Sequence, residues 1–419
     1  MRTVLVTAYA MNPYKGSEEG MGWNFTLQIA RYHRVIAVTR INNGPSIRKY
    51  IAADPERKEL YQRIQFVYFD WPRWLRWWKK GPLLSMIYYY GWQMTLAVWL
   101  RWKKLRVDVV HNLNFHNDWT PSFLWILGKP MVWGPVGHHP AIPRAFLRPV
   151  YGTKAWLKDR VLWRCKRLFW SIDPFLRIAE RRAAAILCMN SQAVQRRRQS
   201  AAKCSIIPSV ASEPCVDDQR PFPPAIRGAF TVLSAGRMVP LKGFDLTVRA
   251  FSLFYRQLPE HIKRDVQLVL IGAGEGMPVI HALIEEGGIA HCTRVIGWVS
   301  REKMLQMYRS ADVFLFPSHE GAGMVVAEAM SHGLPVICLD NEGPGEFVHP
   351  QSRLKVTCSS YGRTIQELAD RLMDLVLKPE YYQKEKEWSL LRFRESFDWD
   401  RRGEQLKFIY ESICINSAS

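Results

Sequence analysis

Little in the sequence could hold the chain together covalently. Eight cysteines stand at 165, 188, 204, 215, 292, 338, 358 and 414 of 419 residues, with no CxxC pair and no zinc-like spacing. That pattern excludes a disulfide framework and points to reduced thiols in a cytosolic setting. Low-complexity tracts and short-period repeats are missing as well, so neither a disordered chain nor a solenoid fits. The opening Met1-Arg-Thr-Val-Leu-Val-Thr is too short an apolar run for a signal peptide and reads as a first buried strand. Acidic residues are scarce in one half only. Residues 1–212 hold 34 Lys/Arg against 11 Asp/Glu, a net of +23, whereas residues 213–419 hold 24 against 27, a net of −3. The basic half calls for an anionic partner: a membrane surface, a lipid-linked phosphate or a nucleic acid.

An uninterrupted membrane span is also wanting. Pro82 to Leu100 is about as long as a minimal span, but Ser85, Gly91, Gln93 and Thr95 interrupt it and three tyrosines cluster at 88–90. Its flanks are basic and rich in tryptophan, from Trp71 to Lys80 before it and from Arg101 to Arg106 after it. A helix lying in the headgroup layer suits this composition better than a spanning one. Residues 71–106 are therefore the expected contact with an anionic inner-membrane surface, the alternative being an ordinary packed helix with a solvated basic rim.

What the chain does have is alternation. Apolar runs at Val4–Ala8, Val35–Thr39, Ile64–Phe69, Val107–His111, Pro130–Trp133 and Ala185–Met189 alternate with helix-period segments such as Gly22–Arg31, Leu83–Lys104, Lys154–Phe169 and Ser191–Ser200. A second series runs Thr231–Ala235, Val266–Ile271, Thr293–Ile296, Val313–Phe316 and Pro335–Leu339, again with helices between. Short apolar strands separated by helices predict parallel sheets covered on both faces. The fold class is α/β, with two doubly wound Rossmann-like domains, residues 1–212 and 213–395, joined at the polar Pro208–Pro224 stretch where the charge balance also switches. Two such domains facing each other would form a cleft at the carboxyl ends of their strands.

Three pieces of the second half carry chemistry. Gly236-Arg237-Met-Val-Pro-Leu-Lys242-Gly243 forms a strand-loop-helix corner, so Arg237 and Lys242 come to the crevice rim, where two cations can stabilise a diphosphate leaving group. The bland alternative is a pair of solvated surface cations. In Ser318-His-Glu320-Gly-Ala-Gly-Met-Val-Val-Ala-Glu328, Glu320 precedes a helix starting near Gly323, and Glu328 lies more than a turn inside it on an apolar stretch. Backbone amides from Gly321 through Ala322 and Gly323 to Met324 would point at an anion. Carboxylates suit sugar work because each accepts two hydroxyl hydrogen bonds. The third piece, Gly272-Ala-Gly274-Glu-Gly276, invites a dinucleotide reading, but Met277 stands where a third fingerprint Gly is needed.

In this order the pieces resemble the retaining glycosyltransferases of family 4, which have the GT-B architecture. Glu320 and Glu328 match that family's E-x7-E signature, and Arg237 and Lys242 match its diphosphate-binding pair in spacing. Gly16-Ser-Glu-Glu-Gly20-Met-Gly22-Trp-Asn and Trp133-Gly-Pro-Val-Gly137 resemble a subgroup of bacterial members, and Phe397-Asp-Trp-Asp-Arg-Arg resembles the closing segment. The resemblance implies that Glu328 holds the donor ribose, that Glu320 touches the transferred sugar, and that residues 321–325, ending at Val325, line its site. It further implies that Gly297, Trp298 and Val299 cradle the base, that Gly20 and Gly22 approach the donor phosphate, and that residues 396–419 form a helix crossing back to the first domain. Two departures are Ala322, where the family usually has an aromatic residue, and the catalytic-side histidine. His138 is the first candidate for the latter, beside His139, with His111 and His116 as alternatives.

The implied reaction transfers a hexose-type sugar, with retention, from a nucleotide diphosphate donor to a hydroxyl of a lipid-linked saccharide in cell-surface polysaccharide assembly. It would need no cofactor and no metal, and would place the chain in the cytoplasm, attached peripherally to the inner face of the cell membrane. Asp398-Trp-Asp400 mimics a metal motif but adjoins the carboxyl-terminal helix. Rival readings are a nucleic-acid-binding protein, which leaves the Arg/Lys and Glu/Glu pairs unexplained, a nicotinamide oxidoreductase, which the broken glycine fingerprint opposes, and a GT-B epimerase or phosphorylase.

Overall fold

Short runs of branched apolar residues that alternate with helices are covered inside parallel sheets with helices on both faces, and that is where they lie. The computed structural model describes residues 1–113, 117–215 and 230–415. The first sheet comprises β1 (Thr3–Ala8), β2 (Arg34–Thr39), β3 (Ile64–Tyr68), β4 (Val109–Leu113), β5 (Met131–Val136), β6 (Ala183–Cys188) and β7 (Cys204–Ile206). The second comprises β8 (Phe230–Ala235), β9 (Val266–Ile271), β10 (Thr293–Ile296), β11 (Val313–Phe316), β12 (Val336–Leu339) and β13 (Lys355–Val356). Their orders are β3-β2-β1-β4-β5-β6-β7 and β10-β9-β8-β11-β12-β13, and every pairing is parallel. Each sheet thus reverses its strand order once, at β1/β4 and at β8/β11, and the crevice above such a reversal is where doubly wound sheets take ligands.

The α/β class and the two doubly wound sheets agree with the reading of the sequence. The chain divides into one unit of residues 1–138, 165–209 and 399–419 and another of residues 139–164 and 210–398. A division at 212, drawn from charge and composition, assigns 139–164 to the first domain. In the structure these residues group with the second unit, because Ile142, Phe146 and Leu147 join its core and Tyr151 donates a hydrogen bond to Asp245 at 3.1 Å. The helix expected at 154–169 correspondingly runs Arg144–Ile172, with a break at Gly152. Part of the joint, residues 216–224, lies outside the described residues.

In the first unit the helix Gly81–Lys103 buries Tyr88, Tyr89, Trp92, Leu96 and Leu100 against β1, β4 and β5. Its other side exposes Ile87, Met94, Val98 and Trp102, a stripe at helical spacing. No helix among the described residues is long and apolar enough to cross a membrane. The helix Trp399–Ile415 belongs to the first unit: Tyr410 is fully buried, its hydroxyl meets His111 Nδ1, and its carbonyl accepts a hydrogen bond from Arg2 at 2.6 Å.

Candidate functional site

The site grows from two loops that leave neighbouring strands on either side of the β8/β11 reversal. The loop after β8 runs from Gly236 to Gly243, and the loop after β11 runs from Pro317 to Gly323, where the helix Met324–Ser331 begins. They are locked together. His319 N–H donates to the Leu241 carbonyl at 2.9 Å, and the Ser318 hydroxyl donates to the same oxygen at 3.1 Å. Gly243 has φ +68°, and a Cβ there would sit 2.0 Å from the Pro317 carbonyl oxygen, so only glycine permits this approach. Gly272, Gly274 and Gly276 are explained the same way. A Cβ on Gly272 would lie 1.8 Å from the Gly236 oxygen, and one on Gly274 would lie 2.3 Å from the Met238 oxygen. These glycines let the β9 loop pack beneath the β8 loop, so a dinucleotide fingerprint is not needed to account for them.

This framework joins Lys242 to Glu320: Nζ donates to Oε2 at 2.7 Å, with both side chains largely buried. Arg237, five residues earlier, is exposed. The Glu320 amide donates to the Ser318 hydroxyl, and the Gly321 amide donates to His139 Nδ1 at 3.2 Å. One of the backbone amides expected to face an anion is therefore turned to an imidazole, and Gly321, Ala322 and Gly323 are buried while Met324 and Val325 are half-buried. The sequence offers His139 no distinguishing signal, because its meeting with Gly321 depends on residues 139–164 packing into the second unit.

Just over one turn into the helix Met324–Ser331, Glu328 faces inward. Its carboxylate accepts from Arg301 Nη1 at 3.2 Å and from the Tyr308 hydroxyl at 3.2 Å. Burial pushes the Glu328 carboxyl pKa upward, against the opposing pull of Arg301 and Tyr308. Neither partner was anticipated; both come from the helix Arg301–Ser310 that follows the β10 loop, at a register no motif marks. That loop carries Gly297, Trp298 and Val299, with Trp298 85% exposed. Arg301 is 43% exposed at the side chain, so the Glu328 pair opens to solvent on one side only.

The remaining predicted residues lie in the first unit. His138 is buried, and its Nδ1–H donates to Asp118 Oδ2 at 3.1 Å. Arg196 and Arg197 converge on the same oxygen at 2.9 and 3.5 Å, and Glu180 accepts from Arg196 at 2.6 Å. Burial alone would raise the Asp118 pKa, but the His138 hydrogen bond and the two guanidinium charges together hold it far below the usual carboxylate range. His111 is wholly buried between the Gly134 carbonyl, 2.8 Å from its Nε2, and the Tyr410 hydroxyl, and burial lowers its pKa to about 4. His116 lies outside the described residues. Gly20 and Gly22 sit in the first turns of the helix Ser17–Ala30, where a Cβ on Gly20 would lie 2.3 Å from the Lys15 carbonyl oxygen. Gly20 thus has a packing reason of its own. Asp400, from the metal-like Asp-Trp-Asp, pairs with Arg31.

Residues 217–389 match the model of the glycosyl transferases group 1. Among curated proteins, a D-inositol 3-phosphate glycosyltransferase of Xylanimonas cellulosilytica is 37% identical over 111 residues, 25% of each chain. A GDP-mannose-dependent alpha-(1-6)-phosphatidylinositol monomannoside mannosyltransferase of Mycobacterium tuberculosis is 30% identical over 156 residues, 35% of this chain and 38% of that one. The matches therefore span well under half the length of these relatives. Among solved structures, Anabaena HepE in complex with UDP aligns with a TM-score of 0.61 at 15% identity, over 98% of this chain and 100% of that one. Sucrose-phosphate synthase of Thermosynechococcus elongatus aligns with a TM-score of 0.62 at 17% identity over the whole of both chains. At such identities the likeness carries the fold alone, the GT-B plan of two Rossmann-like units. The matched stretch, residues 217–389, contains both loops and both glutamates.

Proposed function

We propose that the chain is a retaining glycosyltransferase of family 4 that moves a hexose-type sugar from a nucleotide diphosphate donor to a hydroxyl of a lipid-linked saccharide. The observation that carries this reading is the pairing of Lys242 with Glu320 at the β8/β11 reversal, with Glu328 in the helix that follows the Glu320 loop. In it, Lys242 and Arg237 take the donor diphosphate, Glu320 the transferred sugar and Glu328 the ribose hydroxyls. Gly297, Trp298 and Val299 hold the base through the main chain. Glu320 and Glu328 are already paired with cations, so the donor binds by exchange: diphosphate oxygens replace Glu320 on Lys242, and Glu320 turns to sugar hydroxyls.

The acceptor oxygen forms its bond to the anomeric carbon on the face from which the diphosphate departs. The breaking bond leaves its electron pair on the departing phosphate oxygen, which takes the acceptor proton. Lys242 and Arg237 stabilise the charge that develops there, as a metal would in other enzymes, so no metal is assigned. The first unit presents Trp74, Trp77 and Trp102, all strongly exposed, beside Arg73, Lys80, Arg101 and Lys103. This rim of residues 71–106 suits an anionic inner-membrane surface from the cytoplasmic side. His138, oriented by Asp118, is kept as the candidate histidine on the acceptor side.

Calorimetric titration of UDP, GDP, ADP and dTDP, with and without magnesium, tests the donor site. One diphosphate should bind without metal and weaken at least tenfold in Glu328→Ala. No binding of any of the four up to millimolar concentration would overturn the assignment.

A further inference from the structure

The first unit has its own charged cluster at the carboxyl ends of β1, β2 and β3, away from the histidine network. Tyr9 follows β1, Arg40 follows β2, and Asp70, Arg76 and Lys79 lie in the segment after β3. Arg40 lies over the Tyr9 ring, 3.9 Å from its centroid, and its Nε donates to the Tyr9 carbonyl at 2.9 Å. Lys79 Nζ donates to the Tyr9 hydroxyl at 2.7 Å and lies 4.3 Å from the centroid of the Tyr88 ring. Two cations therefore meet on one aromatic side chain.

One acid serves three cations here: Asp70 acts on Lys79 as well as on Arg76, and the charges of Arg40, Arg76 and Lys79 outnumber it. Asp70, nearly inaccessible, accepts from Arg76 at 2.8 Å through one oxygen and from the Tyr88 hydroxyl through the other. The ring of Tyr89 packs 5.0 Å from that of Tyr9. The direct contacts of Arg40 and Lys79 are with neutral groups. Burial, and then the nearby Arg40 charge, lower the Lys79 pKa to about 8. The crowding is a cost that a bound anion would relieve. Arg40 offers its two terminal nitrogens in a planar fork, and Lys79 offers further N–H donors beside it, the donor set that phosphate oxygens accept.

We propose that Arg40, Lys79 and Tyr9 form a phosphate-binding site at the carboxyl edge of the first sheet, taking the phosphate or diphosphate group of an acceptor. Phosphate binding stands on the cluster itself; only the assignment of that phosphate to an acceptor rests on the glycosyltransferase reading. Arg40 clamps two phosphate oxygens, Lys79 takes a third, and the Tyr9 hydroxyl holds Lys79 in place.

The test is a lysine-acylation footprint of the full chain at pH 8, read at Lys79 by peptide mass spectrometry, with exposed Lys58 as the internal control. Inorganic pyrophosphate should slow modification of Lys79 at least fivefold and leave Lys58 unchanged. Arg40→Gln should abolish that protection, and Arg40→Lys, which keeps the charge, should retain part of it. Phosphatidylglycerol vesicles compared with phosphatidylcholine vesicles separate the sources. Protection by pyrophosphate alone identifies a soluble phosphate, and Arg40-dependent protection by phosphatidylglycerol identifies a lipid-borne one. An unchanged Lys79 rate with both probes, or protection that survives Arg40→Gln, overturns the proposal. If Lys79 is protected while no nucleoside diphosphate binds, the phosphate site stands and the donor reading falls.

Discussion

The two units follow one topological plan but use buried charge in opposite ways. In the first, Asp118 meets His138, Arg196 and Arg197, with Glu180 as a second acid, and the Arg197 and Asp118 side chains are wholly inaccessible. In the second, Glu320 and Glu328 are each held by one cation, Lys242 and Arg301, and the latter is partly open to solvent. A carboxylate held by two guanidinium groups and an imidazole is committed to the fold, since a departing guanidinium leaves charge stranded in a low dielectric. A carboxylate with one partner at a solvent-facing edge can exchange that partner for a ligand. Crowding of ion pairs therefore separates the structural network from the exchangeable one, although both contain residues of catalytic type.

The sharpest way to break this contrast is Asp118→Asn. It should destabilise the protein by about 3–5 kcal/mol, as expected for a buried charge stripped of its counter-ion, measured by urea denaturation. Because the folded-state pKa of Asp118 lies below its unfolded value, its contribution is fully present above the unfolded pKa and is lost only as pH falls through the folded one. The variant's deficit should therefore be constant from pH 6 to 8 and shrink in acid. Next in size, Lys242→Ala should lower kcat/KM by roughly 10²–10³, about 2.7–4 kcal/mol of transition-state stabilisation, and should lower stability by less than Asp118→Asn does, because Glu320 has a single charged partner to lose. A large fall in stability with intact activity would show that the Lys242–Glu320 pair belongs to the structural class.

The smallest expected effect sharpens the comparison inside the second unit. Asp245 is buried, and burial raises its pKa to about 6 against the hydrogen bonds from Tyr361 and Tyr151. A carboxyl with a raised folded pKa binds its proton more tightly when folded, so wild-type stability gains as pH falls through 6 toward the unfolded value. Asp245→Asn should thus change stability by only about 1 kcal/mol at pH 7, and wild type should gain on the variant between pH 6 and pH 4. A pH-independent difference would show that Asp245 is ionised throughout.

The sheets were legible because their strands are continuous apolar runs with helices between them, a pattern that local sequence carries. The placement of Arg237, Lys242 and Glu320 in loops after strands, and of Glu328 inside the following helix, was legible because their spacing along the chain mirrors a loop and a helix turn. Arg301 and Tyr308 were not, since each reaches the site from another element and nothing in its own neighbourhood announces the contact; His139 was named beside His138, but not its contact with Gly321. The assignment of residues 139–164 failed for a related reason. Composition follows the chain, whereas packing follows Phe146 and Tyr151 into the core of the second unit. The basic excess was visible, but not its division between the locked Asp118 network and the crowded Arg40–Lys79 pair.

The helix Trp399–Ile415 has a bearing on how the protein is made. Trp399 packs on Phe25 with ring centroids 5.6 Å apart, and a Cβ on Gly403 would lie 2.7 Å from Gln28 Oε1, so this helix seats closely on Ser17–Ala30. The ribosome delivers β1 about four hundred residues before this helix. During synthesis the first sheet must wait with that face uncovered while the whole second unit emerges and folds. Any chain that stops short of this helix therefore leaves bare the face that Trp399 and Tyr410 cover.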